Sequence, residues 1–480
     1  MQFFHPHDVH RELTYQDVFL FPAYSEVGSR MNVDLHPKSC LPLTLPLVVS
    51  NMNSVAGKRM AETVTRRGGL VVLPQDKPMS YLKEVVRSIK TSHPVFETSV
   101  TLEETESIQT ALNLINKRSH GAVVVIDVQR RPVGIFTEKD ARQKDRYLRL
   151  SQVMTRNLET LEDTVSLRDA YATLEKRRLK ILPVVDDQGV LKGVLTRKGI
   201  LRSTWYQPSL NTSQEFYTAA AVGVNGDLQK KVETLLEMGV DLIVLDTAHG
   251  HQKRMLEAIR FVRGLIGNER PLCAGNIVTE QAAVDFLEAG ANILKVGVGP
   301  GAACTTRMVT GMGRPQFSAV YHVSQMARQA GGEVWADGGC RHPRDVVLAL
   351  AAGAHCAMIG SWFAGTYESP ADVQRDGEGK LFKEHFGMAS SRAVSDRTEA
   401  LEPFDQDQKR LFAEGISQGK MSLKEGEESV EDCIDLIVAG LRSACSYAGA
   451  NDLEELYEKA IVGVQTLAGF REGQAVPERW

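Results

Sequence analysis

No stretch of this 480-residue chain approaches the ~20 consecutive apolar residues of a membrane-crossing helix, so no segment reads as a span. The cysteines lack pattern. The seven of them, at 40, 273, 304, 340, 356, 433 and 445, are odd in number, and none stands in Cys-x-x-Cys spacing. That argues against a disulfide framework and a zinc site, and for a reduced, cytoplasmic protein. An excess of one charge is also missing. Against 60 Asp and Glu stand 56 Lys and Arg, and a formal net charge of −4 gives no electrostatic case for nucleic-acid binding. The polar, histidine-bearing N-terminus lacks the character of a secretory signal. What remains is ordinary for a globular protein, with 43% hydrophobic and 24% charged residues. The length allows two or three domains, or one barrel-sized domain carrying an insertion.

Short apolar, β-branched runs recur along the chain with helix-length segments between them. They are Leu45–Ser50, Leu70–Leu73, Ala219–Val224, Leu242–Asp246, Pro271–Ala274, Ile293–Val296, Val334–Asp337 and Cys356–Ile359. Amphipathic stretches such as Gln281–Ala289 and Pro343–Ala352 follow most of them. Periodicity alone does not separate such runs from buried helix, so the count carries the weight. Eight β–α units predict an α/β fold, a parallel (β/α)8 TIM barrel with its chemistry at the C-terminal ends of the strands. The polar stretch from about 380 to 425 reads as a lid or a structureless loop, and Val430–Ala448 as a helix apolar on one face.

Between the second and third runs lies an insertion, residues 93–205, which divides the barrel into 1–92 and 206–480. It contains a repeat. Pro132-Val-Gly-Ile-Phe-Thr-Glu-Lys-Asp140 aligns with Leu191-Lys-Gly-Val-Leu-Thr-Arg-Lys-Gly199 at an offset of 59 residues. Each half adds a helix-like segment (Ile108–Arg118; Leu167–Arg177) and an apolar strand (Gly121–Ile126; Ile181–Val185). The pair resembles tandem cystathionine-β-synthase-type (CBS) domains, in which a Thr-x-x-Asp pattern hydrogen-bonds a nucleotide ribose. Thr137 and Asp140 keep that pattern. Thr196 is followed by Gly199, so the resemblance implies one good nucleotide site and one that has lost a ribose contact. A purely structural pair that binds nothing is the alternative.

One loop concentrates the chemistry. Asn292-Ile-Leu-Lys-Val296 feeds Gly297-Val-Gly-Pro-Gly-Ala-Ala-Cys-Thr-Thr-Arg307, where a thiol, Cys304, stands beside the hydroxyls of Thr305 and Thr306. Glycines admit an anion close to the backbone, and a cysteine held there is a candidate nucleophile. A dinucleotide-binding Gly-x-Gly would want an acidic residue ~20 positions on; the chain there reads Gln316-Phe-Ser-Ala-Val-Tyr321. With Leu13–Val27, Asp246-Thr-Ala-His-Gly-His251, Asp337-Gly-Gly339 and Met358-Ile-Gly-Ser361, this loop resembles the IMP dehydrogenase/GMP reductase family, the motifs falling in that family's order over roughly residues 10 to 450.

The resemblance implies a homotetramer or homo-octamer acting on GMP or IMP, with Cys304 bonding to the purine C2. Thr306 and Glu414, in Leu411-Phe-Ala-Glu-Gly-Ile-Ser417, would move protons. Ser50, Asn51, Asp337, Gly338, Gly339, Gly360, Ser361, Gly387 and Met388 would hold the substrate, Asp337 through its ribose hydroxyls. Asp246, His249, Gly250 and Asn276 would face a nicotinamide cofactor, with Lys295 a charge partner for the same pocket. Carbonyls of Gly299, Gly301 and Cys304 would bind a monovalent cation, potassium. The CBS pair would take ATP or GTP as allosteric effectors. The family usually has serine two residues before its cysteine; Ala302 stands here, and a phosphate contact is missing.

Which family activity applies turns on the hydrolytic equipment. Dehydrogenases of this family resemble one another in carrying an Arg-Tyr pair on the lid, about a dozen residues before the lid Glu or Gln. This chain has Glu402-Pro403 there, and Arg397 has no following Tyr. Ser50-Asn51-Met52 and Phe386-Gly-Met-Ala-Ser-Ser391 also lean to the reductase form, whereas the insertion and Asp246–His251 are dehydrogenase-like. The expectation is a CBS-containing reductase that uses NADPH to convert GMP to IMP and ammonia. A dehydrogenase converting IMP, NAD and water to XMP, and a non-catalytic nucleotide-sensing barrel, are the alternatives.

Overall fold

The computed structural model describes residues 1–387, 390, 393–395, 402–411 and 419–474. Eight parallel strands close into a barrel: Leu47–Val49, Leu70–Leu73, Ala219–Val222, Leu242–Asp246, Leu272–Ile277, Ile293–Val296, Glu333–Asp337 and Cys356–Ile359. The last pairs with the first, Ala357 opposite Leu47, so no edge is left. Each strand overlaps one of the eight apolar runs. Alternate residues divide the labour. Val48, Leu70, Val72, Ala219, Ala221 and Trp335 fill the lumen. Leu47, Val49, Val71, Leu73 and Ala220 pack outward in one core with helix residues such as Met60, Val64, Phe286 and Phe317. Both faces are thus buried, which is why these strands read as continuous apolar runs rather than alternating ones.

The helix Val430–Ala448 buries Val430, Cys433, Ile434, Ile437, Val438, Leu441 and Cys445, a 3–4 spacing, and packs on the helix Pro343–Ala351. Gln2–Phe3, Val18–Leu20 and Ile461–Val464 form a small separate sheet.

The inserted segment builds two three-stranded sheets. One joins Val100–Glu103, Ala122–Ile126 and Pro132–Thr137; the other joins Leu161–Glu162, Ile181–Val185 and Leu191–Thr196. Each has its own apolar core, and Ala122, Val124 and Ile126 meet Ile181, Leu191 and Val194 across a third. The joint to the barrel is ionic. Arg118 pairs with the fully buried Glu62, Lys117 with Asp372, and Arg202 with Glu431, Asp432 and Asp435 at 3.2, 2.7 and 2.8 Å.

The stretch expected as a lid or structureless loop is more ordered than that within its described residues. Val373–Arg375, Leu381–His385 and Gly419–Ser422 form an antiparallel sheet, and Pro403–Leu411 is a helix. Lys383 and His385, two of the buried residues on Leu381–His385, are polar, which hides the strand's alternation. Lys383 Nζ donates to the Tyr367 and Ser369 carbonyls, each at 3.0 Å. Among the described residues no helix is long and apolar enough to cross a membrane.

Candidate active site

The C-terminal ends of the strands open into one cavity of about 1810 Å³. Two turns shape its floor. At Gly297 (φ +148°) a side chain would run into the Asp337 carbonyl, so the loop after the sixth strand passes tightly beside the end of the seventh. Gly338 and Gly339 (φ +88° and +86°) are consecutive left-handed residues that turn the chain sharply after Asp337.

At the centre stands Lys295, only 3% exposed, on the sixth strand. Its Nζ lies 2.7 Å from Asp246 and 2.7 Å from Asp337. Burial alone would lower the ammonium pKa; the two carboxylates more than reverse this and hold it above the usual lysine value. Asp246 also accepts from Asn51 Nδ2 at 3.0 Å, and Asp337 from Ser50 Oγ at 3.1 Å and Asn276 Nδ2 at 2.9 Å. Five strand ends are tied together by this one cluster. The buried Asn276 Oδ1, at the cavity wall, has no partner among the described residues.

Cys304 lies on the exposed rim, and its Sγ donates to Thr306 Oγ1 at 3.3 Å. Cys273 and Cys356 are its opposites: wholly buried in the lumen, with burial pushing both thiols far up and leaving them unreactive. Gly360 and Ser361 follow the eighth strand. The Ser361 hydroxyl meets His385 Nε2 at 3.1 Å, and His385 Nδ1 meets Ser54 Oγ at 2.8 Å, so a buried imidazole fixes this hydroxyl from behind.

The cavity wall therefore gathers Ser50, Asn51, Asp246, Asn276 and Lys295. It also gathers Gly299, Gly301, Cys304 and Thr306, with Asp337–Gly339, Gly360, Ser361 and Gly387. It does not gather His249 or Gly250. The His249 side chain is exposed, and its carbonyl accepts from Thr247 Oγ1; Gly250 is a packing residue whose N–H donates to the Asn276 carbonyl at 2.7 Å. Met388 and Glu414 lie outside the described residues, and Thr137 and Asp140 sit in the insertion. Sequence reading missed Gln75, Asp76 and Lys77, which line the cavity directly after the second strand. The rule that found the other strand ends applies to them equally. It also missed Ser54 and His385, for which no spacing gave a signal.

A closed barrel whose strand ends carry a glycine-bounded cavity, paired acids and an exposed thiol defines a class, barrel enzymes that act on a small molecule at the strand ends, with Cys304 the candidate nucleophile. The family model described as the IMP dehydrogenase / GMP reductase domain matches residues 12–476, and the chain belongs to that family. It is 50% identical over 481 residues to the GMP reductase of Mycobacterium tuberculosis, covering 100% of each chain. The IMP dehydrogenase of Halalkalibacterium halodurans is 37% identical over 465 residues, covering 96% of this chain and 94% of that one. Among solved structures, a GMP reductase variant from Trypanosoma brucei in complex with guanosine 5′-monophosphate superposes with a TM-score of 0.68. The sequence identity there is 30%, over 97% of this chain and 98% of that one.

Proposed function

We infer that this enzyme is a GMP reductase, which deaminates GMP reductively to IMP and ammonia. The full-length identity of 50% to a GMP reductase carries the assignment, against 37% for a dehydrogenase. In the mechanism we propose, Cys304 Sγ, as thiolate, adds to the purine C2. The 2-amino group takes a proton and leaves as ammonia, and a thioimidate remains. NADPH would supply the hydride to C2, after which the C–S bond breaks and IMP departs. Thr306 would carry the proton, a role supported by the contact of its Oγ1 with Cys304 Sγ at 3.3 Å. Glu414 is retained as the acid behind it on sequence grounds.

The geometry supports the remaining roles. Among the described residues Asp337 accepts three hydrogen bonds, from Ser50, Asn276 and Lys295, of roughly four that a carboxylate takes. It has room for one ribose hydroxyl, with the Ser50 hydroxyl free to turn to another. Gly339, Gly360, Gly387 and the held Ser361 hydroxyl would receive the phosphate, in place of the serine that Ala302 replaces. The cavity is larger than a nucleoside monophosphate requires, which leaves room for a nicotinamide beside Asp246 and the unpartnered Asn276 Oδ1. The Gly299, Gly301 and Cys304 carbonyls are hard oxygen donors suited to potassium. The insertion is a CBS pair that binds ATP or GTP and regulates a homotetramer or homo-octamer. The decisive assay supplies purified enzyme with GMP and NADPH, and separately with IMP and NAD; turnover is expected in the first, and turnover only in the second overturns the reading.

A further inference from the structure

The two halves of the insertion exchange their leading segments. The residues entering the first half reach the second, where Glu97 pairs with Val194; those entering the second reach the first, where Thr155 pairs with Ile135. Phe96 accordingly packs in the core of the second half. At the first half, Asp140 accepts from the Thr137 N–H and hydroxyl, both at 2.8 Å, and stays partly exposed. The corresponding Asp is missing from the second half, yet its place is not empty. A Cβ at Gly199 would lie 2.5 Å from the Glu97 carboxylate, and Thr196 Oγ1 donates to Glu97 Oε2 at 3.0 Å. Glu97 therefore stands where an aspartate in place of Gly199 would put its own carboxylate.

The two carboxylates differ in what they leave free. Glu97 is 4% exposed, with Arg67 at 3.5 Å on one oxygen and Thr196 and His120 on the other. Burial would push its carboxyl up; His120, Arg67 and the Thr196 hydroxyl outweigh that and keep it ionised. The Thr196 hydroxyl is spent as well, since it also accepts from the Gly199 N–H at 2.9 Å. Arg67 belongs to the barrel and continues to Glu431 at 2.6 Å and Ser203 at 2.9 Å. We propose that Glu97 closes the second nucleotide site and converts it into a structural joint to the barrel, so that the insertion takes one purine nucleotide per chain, at Thr137 and Asp140. The count rests on reading the insertion as nucleotide-binding; the joint does not.

Two measurements on the full-length enzyme separate these parts. Gly199→Asp forces two carboxylates into one buried place and should lower the melting temperature by at least about 3 °C. Adding Glu97→Gly should restore it, because the introduced carboxylate then serves Thr196 and Arg67. A single variant that melts like the parent, or a double variant no better than the single, overturns the joint. In equilibrium dialysis with ATP and with GTP, the parent should bind one nucleotide per chain and Asp140→Ala none. Two per chain, or binding that survives Asp140→Ala and is lost on Thr196→Val, overturns the closure. No binding by the parent overturns the nucleotide reading, while the melting experiment still judges the joint.

Discussion

Asp337 and Cys304 stand at the ends of neighbouring barrel strands, paired through Lys295 opposite Trp335, yet they are built in opposite ways. The carboxylate is enclosed by Ser50, Asn276 and Lys295, all at hydrogen-bond distance before any ligand arrives. The thiol is exposed on a glycine loop and, among the described residues, makes a single side-chain hydrogen bond, to Thr306. The difference separates two tasks. The carboxylate proposed to recognise an unchanging part of the substrate is fixed in advance, which would reduce reorganisation on binding. The thiol, which in the proposed mechanism makes and breaks a bond to carbon, is left accessible.

That contrast is exposed to four tests. The largest effect is expected for Cys304→Ala, which should lower kcat for GMP-dependent NADPH oxidation by at least about 10³-fold with GMP binding retained in calorimetry. Preserved turnover would end the covalent proposal. Lys295→Met should act on the fold instead. It leaves the Asp246 and Asp337 carboxylates facing a neutral side chain, at a cost of about 3–5 kcal/mol in denaturant unfolding. A parental midpoint would mean that the cluster is not the pre-set scaffold described. Thr306→Val should reduce kcat by about 10²-fold or more with an unchanged unfolding curve, as suits a proton carrier on an exposed loop.

The smallest catalytic effect belongs to the barrel's far end. His355 precedes the eighth strand, and its Nδ1 accepts from the Val334 N–H at 3.1 Å. Burial pushes its pKa down to about 3. The unfolded chain takes up this proton near about pH 6.5 while the folded one refuses it, so the stabilisation is complete above that value and declines as pH falls toward about 3. The melting temperature of the parent should therefore fall relative to that of His355→Gln as the solution is made more acid, while kcat at neutral pH stays within about twofold.

The barrel was legible because residues buried on both faces leave short apolar runs, and eight of them in a row with helix-length spacing fix the count. Much of the candidate site followed, since strand ends mark where a barrel keeps its polar side chains. What escaped was of a different kind. Gln75–Lys77 carried no motif and needed only the positional rule. Gly250 belongs to a family signature and also packs closely against Asn276, a contact that only the three-dimensional structure reveals. The sheet around Leu381–His385 buries a lysine and a histidine and so imitates a loop. The aspartate missing at position 199 was legible in the sequence; the Glu97 carboxylate that lies in its place, from 102 positions earlier, was not.

Lys295 has one further consequence. Its ammonium is shared between the acid assigned to the purine ribose and the acid assigned to the nicotinamide side. Whatever draws charge from one carboxylate shifts the cation's balance toward the other. On those proposed assignments the two compartments would be in thermodynamic conversation: filling either should retune the grip of its neighbour, and by equal factors in both directions.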